Sequence, residues 1–164
     1  MIKTIDLVDD FFSKIEGWAI ISLFSLMLLM AFIQVVLRNV FSAGFVWADI
    51  LLRNAVLWIA LLGASIATKE RKHISIDVVS RFFSIRKKYI IEIVVSIFSI
   101  YVCYLLATAS WTFISDERSA GSVLVLDLPT WVFLLIIPIA FYTIAFRFFV
   151  RAMKRTILLI MGVQ

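Results

Sequence analysis

Long apolar runs alternate with short charged stretches along the chain, and the run lengths set the first expectations. Between Glu16 and Arg38 lie 21 residues without a charge, enough for a helix rising about 1.5 Å per residue to cross a ~30 Å hydrocarbon core. Runs of 23 residues between Glu92 and Asp116 and of 19 between Asp127 and Arg147 read the same way. From Arg53 to Lys69 only 15 uncharged residues remain, too few to span. That helix must therefore begin near Val46 and carry Asp49 and Arg53 on its first turns. Acid and base then stand four positions apart on one face, with the acid toward the positive end of the helix dipole. The pattern predicts four transmembrane helices over residues 16–38, 46–68, 90–114 and 128–150. Pro129 suits the first turn of the last span, and Pro138 within it predicts a kink.

Two further segments carry a helical apolar stripe opposite a polar face. In residues 1–15, Ile5, Val8, Phe12 and Ile15 oppose Asp6, Asp9, Asp10, Ser13 and Lys14; in residues 74–88, Ile74, Val78, Phe82 and Ile85 alternate with Ser75, Asp77, Arg81 and Arg86. Both are expected to be amphipathic interfacial helices, serving as surface anchors or docking against a partner's helices. The first span is not expected to be a cleaved signal peptide, because acidic residues precede it and no small-residue cleavage site follows. Residues 151–164 read as a basic tail. An even number of spans places the amino-terminal segment, the middle connection and the tail on one side. Together these hold 13 of the 16 Lys and Arg residues, leaving Arg38, Arg53 and Arg118 opposite. Both termini are thus expected in the cytoplasm.

Composition agrees and narrows the class. The 164 residues are 63% hydrophobic and 16% charged, against about 45–50% apolar and about 25% charged in soluble domains. The fold class is an all-α integral membrane protein, with residues 1–164 forming a single membrane domain. One His and one Cys exclude a bis-histidine haem site and a paired-thiol oxidoreductase, and Cys103 reads as a packing residue. No phosphate-binding glycine loop, HExxH or GxSxG occurs. No enzyme activity, metal or cofactor is expected, although phospholipid can fill an interface of so apolar a chain. The net charge of +5 follows from topology and attraction to anionic lipid, and no nucleic-acid partner is expected.

Candidate functional residues gather at the ends of the spans. None of the uncharged runs holds an ionisable group, and Gln34 is the strongly polar residue of the first. Arg38, Trp47, Asp49 and Arg53 form a compact set on the non-cytoplasmic side, where one acid can neutralise one of two arginines. Asp49 is expected to pair with Arg53, and a surplus arginine could then meet a carboxylate or lipid headgroup on a partner. Ala60, Gly63, Ala64 and Ala67 make a small-residue stripe that permits close helix approach, within the chain or with another subunit. The loop with Asp116, Glu117 and Arg118 reads as a solvated turn or as docking surface. His73 stands four residues before Asp77, spaced for a structural hydrogen bond or a pH sensor.

The order of these segments carries a resemblance. QVVLRNVF closes the first span, WADILLRNAVLW opens the second, GASIATKERKHISID follows it and DLPTWVFLLIIPIAF makes the last. Over roughly residues 16–150 this resembles the small membrane subunit, of DctQ type, of tripartite ATP-independent periplasmic (TRAP) transporters. The matching positions are Arg38, Trp47, Asp49, Arg53, Gly63, His73, Asp77, Pro129, Trp131 and Pro138, while Asp49 and Ala140 stand where that family often has Glu and Gly. The resemblance implies a scaffold subunit in a bacterial or archaeal inner membrane. Its partners would be a large membrane subunit of DctM type, which carries the substrate and sodium sites, and a periplasmic protein that captures an organic acid. Ending at Gln164, the chain is expected to be an unfused small subunit. Other readings are a stand-alone homo-oligomeric four-helix transporter and a structural subunit of another membrane complex.

Overall fold

A computed structural model describes residues 2–70, 85–125 and 128–160. Its elements are α1 (Ile2–Phe41), α2 (Val46–Glu70), α3 (Ile85–Ala120), a hairpin of β1 (Val123–Val125) and β2 (Leu128–Pro129), a short α4 (Thr130–Leu134) and α5 (Ile136–Ile160). Four helical stretches are long and apolar enough to cross a membrane, the last combining α4 and α5. Side by side they run α1, α2, α5, α3: α5 packs most extensively on α3, and α2 sits between α1 and α5. The result is an open row whose flanks stay bare. In the most apolar windows of α1 and α2 only 6% of residues are buried, and Trp18, Phe32, Phe98 and Tyr101 point outward.

Three boundaries differ from the sequence pattern. Residues 1–15 were expected as a separate interfacial helix, but Ile2–Phe41 is one uninterrupted helix of 40 residues, about 60 Å long. Gly17 lies at that junction, but no proline falls there to remove an i to i−4 hydrogen bond. The segment's polar face also finds partners within the protein, described below. At the other end, Arg151 to Ile160, expected as a tail, continue α5 as helix. Helix α3 is likewise longer than a span, 36 residues from Ile85. The remainder of the expected interfacial helix at 74–88, with His73 and Asp77, lies outside the described residues.

Helix ends show why the chain turns where it does. Ser42 takes a left-handed conformation with φ of 50°, ending α1, and the Ala43 amide bonds back to the Leu37 carbonyl at 3.2 Å. Gly121 does the same after α3 at φ of 65°, a conformation glycine adopts without steric cost. The loop that follows is an antiparallel hairpin with Val123 opposite Pro129, and Asp116, Glu117 and Arg118, expected in the loop, lie in the last turns of α3. Both the amide and the hydroxyl of Thr130 donate to the Ser122 carbonyl, at 3.0 and 3.2 Å. Pro138, fully buried, explains the interruption at Leu135. It has no amide hydrogen, and its ring crowds the carbonyl four residues earlier, at Leu134, where α4 stops.

Candidate functional site

Polar side chains concentrate in two layers, one at each end of the row. The first joins α1 to α2 across the short turn between them. Gln34, buried, donates to the Phe45 carbonyl at 2.7 Å and accepts from the Phe45 amide at 3.3 Å. Its amide nitrogen also lies 3.4 Å from Asp49 Oδ1. Arg38 Nη2 forms an ion pair with Asp49 Oδ2. The expected Asp49 pairing with Arg53 is therefore corrected. The turn brings the end of α1 beside the start of α2, whereas Arg53 projects from α2 exposed and without a partner among the described residues. Trp47 is half-exposed and packs on Phe45 with ring centroids 5.5 Å apart. Beyond this layer, Arg118 covers the Trp131 ring at 5.5 Å.

The second layer is a cluster built on a buried arginine, formed by charges that bound the apolar runs. Arg147 on α5 is 5% exposed and uses all three nitrogens of its guanidinium. Nε donates to Asp9 Oδ1 at 3.0 Å, Nη1 to Ser65 Oγ at 2.9 Å, and Nη2 to Glu16 Oε2 at 2.7 Å. The Ser65 hydroxyl in turn donates to Glu16 Oε1 at 3.0 Å, closing a ring across α1, α2 and α5. Asp9 and Glu16 stand seven positions apart on one face of α1. The acids approach Arg147 from α1, and Lys69 of α2 pairs with Asp10 at 2.6 Å beside them. Asp9 and Asp10, expected on a solvated face, thus engage α5 and α2. Arg151, one turn beyond Arg147, donates to the Thr68 carbonyl. One turn further, Arg155 pairs with Glu92 of α3 and covers the Tyr89 ring at 5.2 Å.

Between the layers the protein offers little polar chemistry. Glu16 and Arg38 are 22 positions apart, about 33 Å along a helix, close to the ~30 Å of hydrocarbon. In that interval the hydroxyls of Ser96, Ser110 and Thr143 donate to carbonyls of their own helices at 2.7, 2.6 and 2.9 Å. The Asn54 amide donates to the Ile50 carbonyl at 3.0 Å. Trp58 Nε1 donates to the Phe133 carbonyl at 2.9 Å, fastening α2 to α4 just ahead of the Leu135 break. An apolar groove of about 130 Å³ opens beside it between α1 and α2, lined by Leu23, Met27, Met30, Leu51 and Trp58. Among the described residues no group of His, Cys, Asp and Glu is placed to hold a metal ion.

The small-residue stripe of α2 faces away from the rest of the chain. Ala60, Ala64 and Ala67 are exposed, and a side chain added at Gly63 would meet no atom within 4 Å. The expected residues thus separate into groups: Arg38 with Asp49, Trp47 on the same turn, Pro129 and Trp131 at the hairpin, and Arg53 with Gly63 on the open face of α2. The Arg147 cluster was missed, although a signal existed. Four spans place Glu16 and Arg147, opposite charges at the inner ends of two apolar runs, at the same end of the bundle.

Comparison with known proteins adds identity to this geometry. Residues 27–157 match the family described as tripartite ATP-independent periplasmic transporters, DctQ component. A curated Haemophilus influenzae protein, named "Putative TRAP transporter small permease protein", is 31% identical over 91 residues, covering 56% of each chain. The chain spans about half the length of the curated relative it matches. With more than three quarters of its length matched, this multi-pass membrane protein belongs to the DctQ component family of TRAP transporters.

Proposed function

We propose that the protein is the small scaffold subunit of a TRAP transporter, paired with a large membrane subunit of DctM type for sodium-driven uptake of an organic acid delivered by a periplasmic binding protein. One observation carries this reading: among the described residues the helices carry a single charged side chain between the two layers, Arg53 near one end, and the hydroxyls of Ser96, Ser110 and Thr143 bond to carbonyls of their own helices, while the outer flanks are bare and apolar. A solute pathway needs uncommitted polar or ionisable groups at membrane depth. A scaffold needs lateral surface, rigid helix contacts and fixed depth. Both termini face the cytoplasm of a bacterial or archaeal inner membrane on this reading, supported by the 13 basic residues on that side.

Reconstitution tests it. Co-expressed with the large subunit, the tagged chain should retain that subunit through purification. The joint proteoliposomes should take up substrate only with binding protein outside and an inward sodium gradient. The chain alone should give no uptake, and uptake by the chain alone would establish the stand-alone transporter instead.

A further inference from the structure

The outer face of α1 carries an apolar stripe past the second polar layer. Phe11, Ile15 and Trp18 fall at spacings of four and three on one side of the helix, and they are 64%, 50% and 74% exposed. Phe12, in an edge-on contact with the Phe11 ring at 6.3 Å, is exposed as well. Leu29, 18 positions after Phe11 and about five turns along, is exposed on the same line and continues it down the span. The acids of this segment turn the other way: Asp9 and Glu16 pair with Arg147, and Asp10 with Lys69. Lys14, exposed at the edge of the stripe, has no partner among the described residues and leaves a cation on the outer face.

We infer that this face of α1 is a contact for anionic phospholipid: Phe11, Phe12 and Ile15 seat in the headgroup region of the leaflet on the amino-terminal side, and Lys14 meets phosphate. Two features name the occupant. The stripe is continuous with the lipid-facing side of the span, and its unmatched charge is positive, suited to the negative surface of a cytoplasmic leaflet. Depth agrees with both. With Glu16 at the hydrocarbon edge, Phe11 lies about 7.5 Å farther out, within the roughly 5–8 Å that headgroups add on each side of the core. An amphipathic segment lying flat would turn its acids to water. Here the chain's own arginine and lysine take them, so α1 runs on through the headgroups as one helix, and lipid phosphate meets Lys14 while the carboxylates face away. The leaflet is cytoplasmic on the orientation proposed above; the contact depends on the scaffold reading in no other respect.

Depth-dependent quenching tests it in the full chain. In a Cys103→Ser background, Phe11→Cys, Ile15→Cys and, as a reference within the span, Phe32→Cys carry a fluorophore. The chains are studied in vesicles of phosphatidylcholine and phosphatidylglycerol, alone and together with the large subunit, and melting followed by circular dichroism shows that each folds. A nitroxide high on the lipid acyl chain should quench the labels at Phe11 and Ile15 more than one near the chain's end does, and the order should reverse at Phe32. At Phe11 the shallow nitroxide should quench about fivefold more effectively on phosphatidylglycerol than on phosphatidylcholine, the change that ~1 kcal/mol of binding produces. Lys14→Gln should abolish that preference. Quenching by aqueous iodide in place of lipid nitroxide puts the face in water and overturns the inference. Lipid quenching lost only beside the large subunit gives the face to that subunit, and quenching lost as protein is concentrated in the bilayer gives it to a second copy; either result overturns the assignment. A lipid preference that is absent, or that survives Lys14→Gln, overturns the anionic contact. Failure of the large subunit to co-purify would sink the scaffold reading and leave the measurement on the chain alone to decide this one.

Discussion

Replacing Arg147 with methionine removes a buried charge while keeping most of the side-chain volume, so the loss isolates the electrostatic role of the second polar layer. The side chain is 3% exposed and faces two carboxylates that are themselves 18% and 12% exposed. Without the guanidinium, Asp9 and Glu16 keep their desolvation cost and repel one another. Removing one partner from such a buried arrangement costs about 3–5 kcal/mol, a large share of a stability of roughly 5–15 kcal/mol. Glu16→Gln should cost much less. Asp9 still neutralises Arg147, and the glutamine oxygen can still accept from Ser65 or Nη2, so the loss is about 1–2 kcal/mol. Unfolding of the purified chain in mixed micelles, followed by circular dichroism, gives both values. The double variant should cost less than the sum of the two single changes, because the groups act as a unit. Equal losses from Arg147→Met and Glu16→Gln, or strict additivity in the double variant, would refute the three-helix ring.

Other predictions concern the contacts that hold the row. Trp58→Phe removes the donor to the Phe133 carbonyl and should lower stability by about 1 kcal/mol, read in the same unfolding assay, with a loss near zero counting against that bond. Arg38→Gln should cost no more than ~1 kcal/mol, since the Asp49 pair is half-exposed; a larger loss would show that pair to be shielded from solvent. Gln34→Leu strips both hydrogen bonds from the Phe45 backbone and should destabilise by about 1–3 kcal/mol, more than Arg38→Gln does. Pro138→Ala restores an amide hydrogen and should merge α4 with α5, visible as slowed amide exchange at Leu135; unchanged exchange there would place the cause of the break elsewhere.

The spans were legible because hydrophobic partition needs only length and the absence of charge, and residues 17–37 meet both conditions. Asp49 was less so. Its i, i+4 neighbour Arg53 is close in sequence, but the four-residue connection from Ser42 to Phe45 brings Arg38 as near from another helix, and only the rotation of α2 decides between them. Arg147 was harder still. Counting charges as run boundaries assigns each to the headgroup region, yet boundary charges of opposite sign on adjacent helices can turn inward and satisfy one another. The length of α1 was obscured for a related reason. An amphipathic pattern predicts where a helix has two faces, and does not say whether the polar face meets water or, like Asp9, an arginine from another helix.

The two polar layers also bear on how such a chain sits in the bilayer. A purely apolar row could slide along the membrane normal or tilt at a modest cost per ångström. Here the Arg38, Asp49 and Gln34 layer and the Arg147, Asp9 and Glu16 layer stand about one hydrocarbon thickness apart, so moving the row by one turn would carry one of them into the core. Because each layer also bonds neighbouring helices to each other, a change of depth would require breaking helix contacts as well as dehydrating charge. The first layer ties only α1 to α2, while the second ties α1, α2 and α5, with Arg155 extending it to α3. Rigidity is therefore unequal, greatest at the Arg147 end, while near its other end α3 is held by packing on α5 and α4, by the hairpin and by Arg118 against the Trp131 ring. On the scaffold reading this asymmetry predicts that amide exchange is fastest around the hairpin. Protection there that appears only in the assembled transporter would place a partner on that end of the protein.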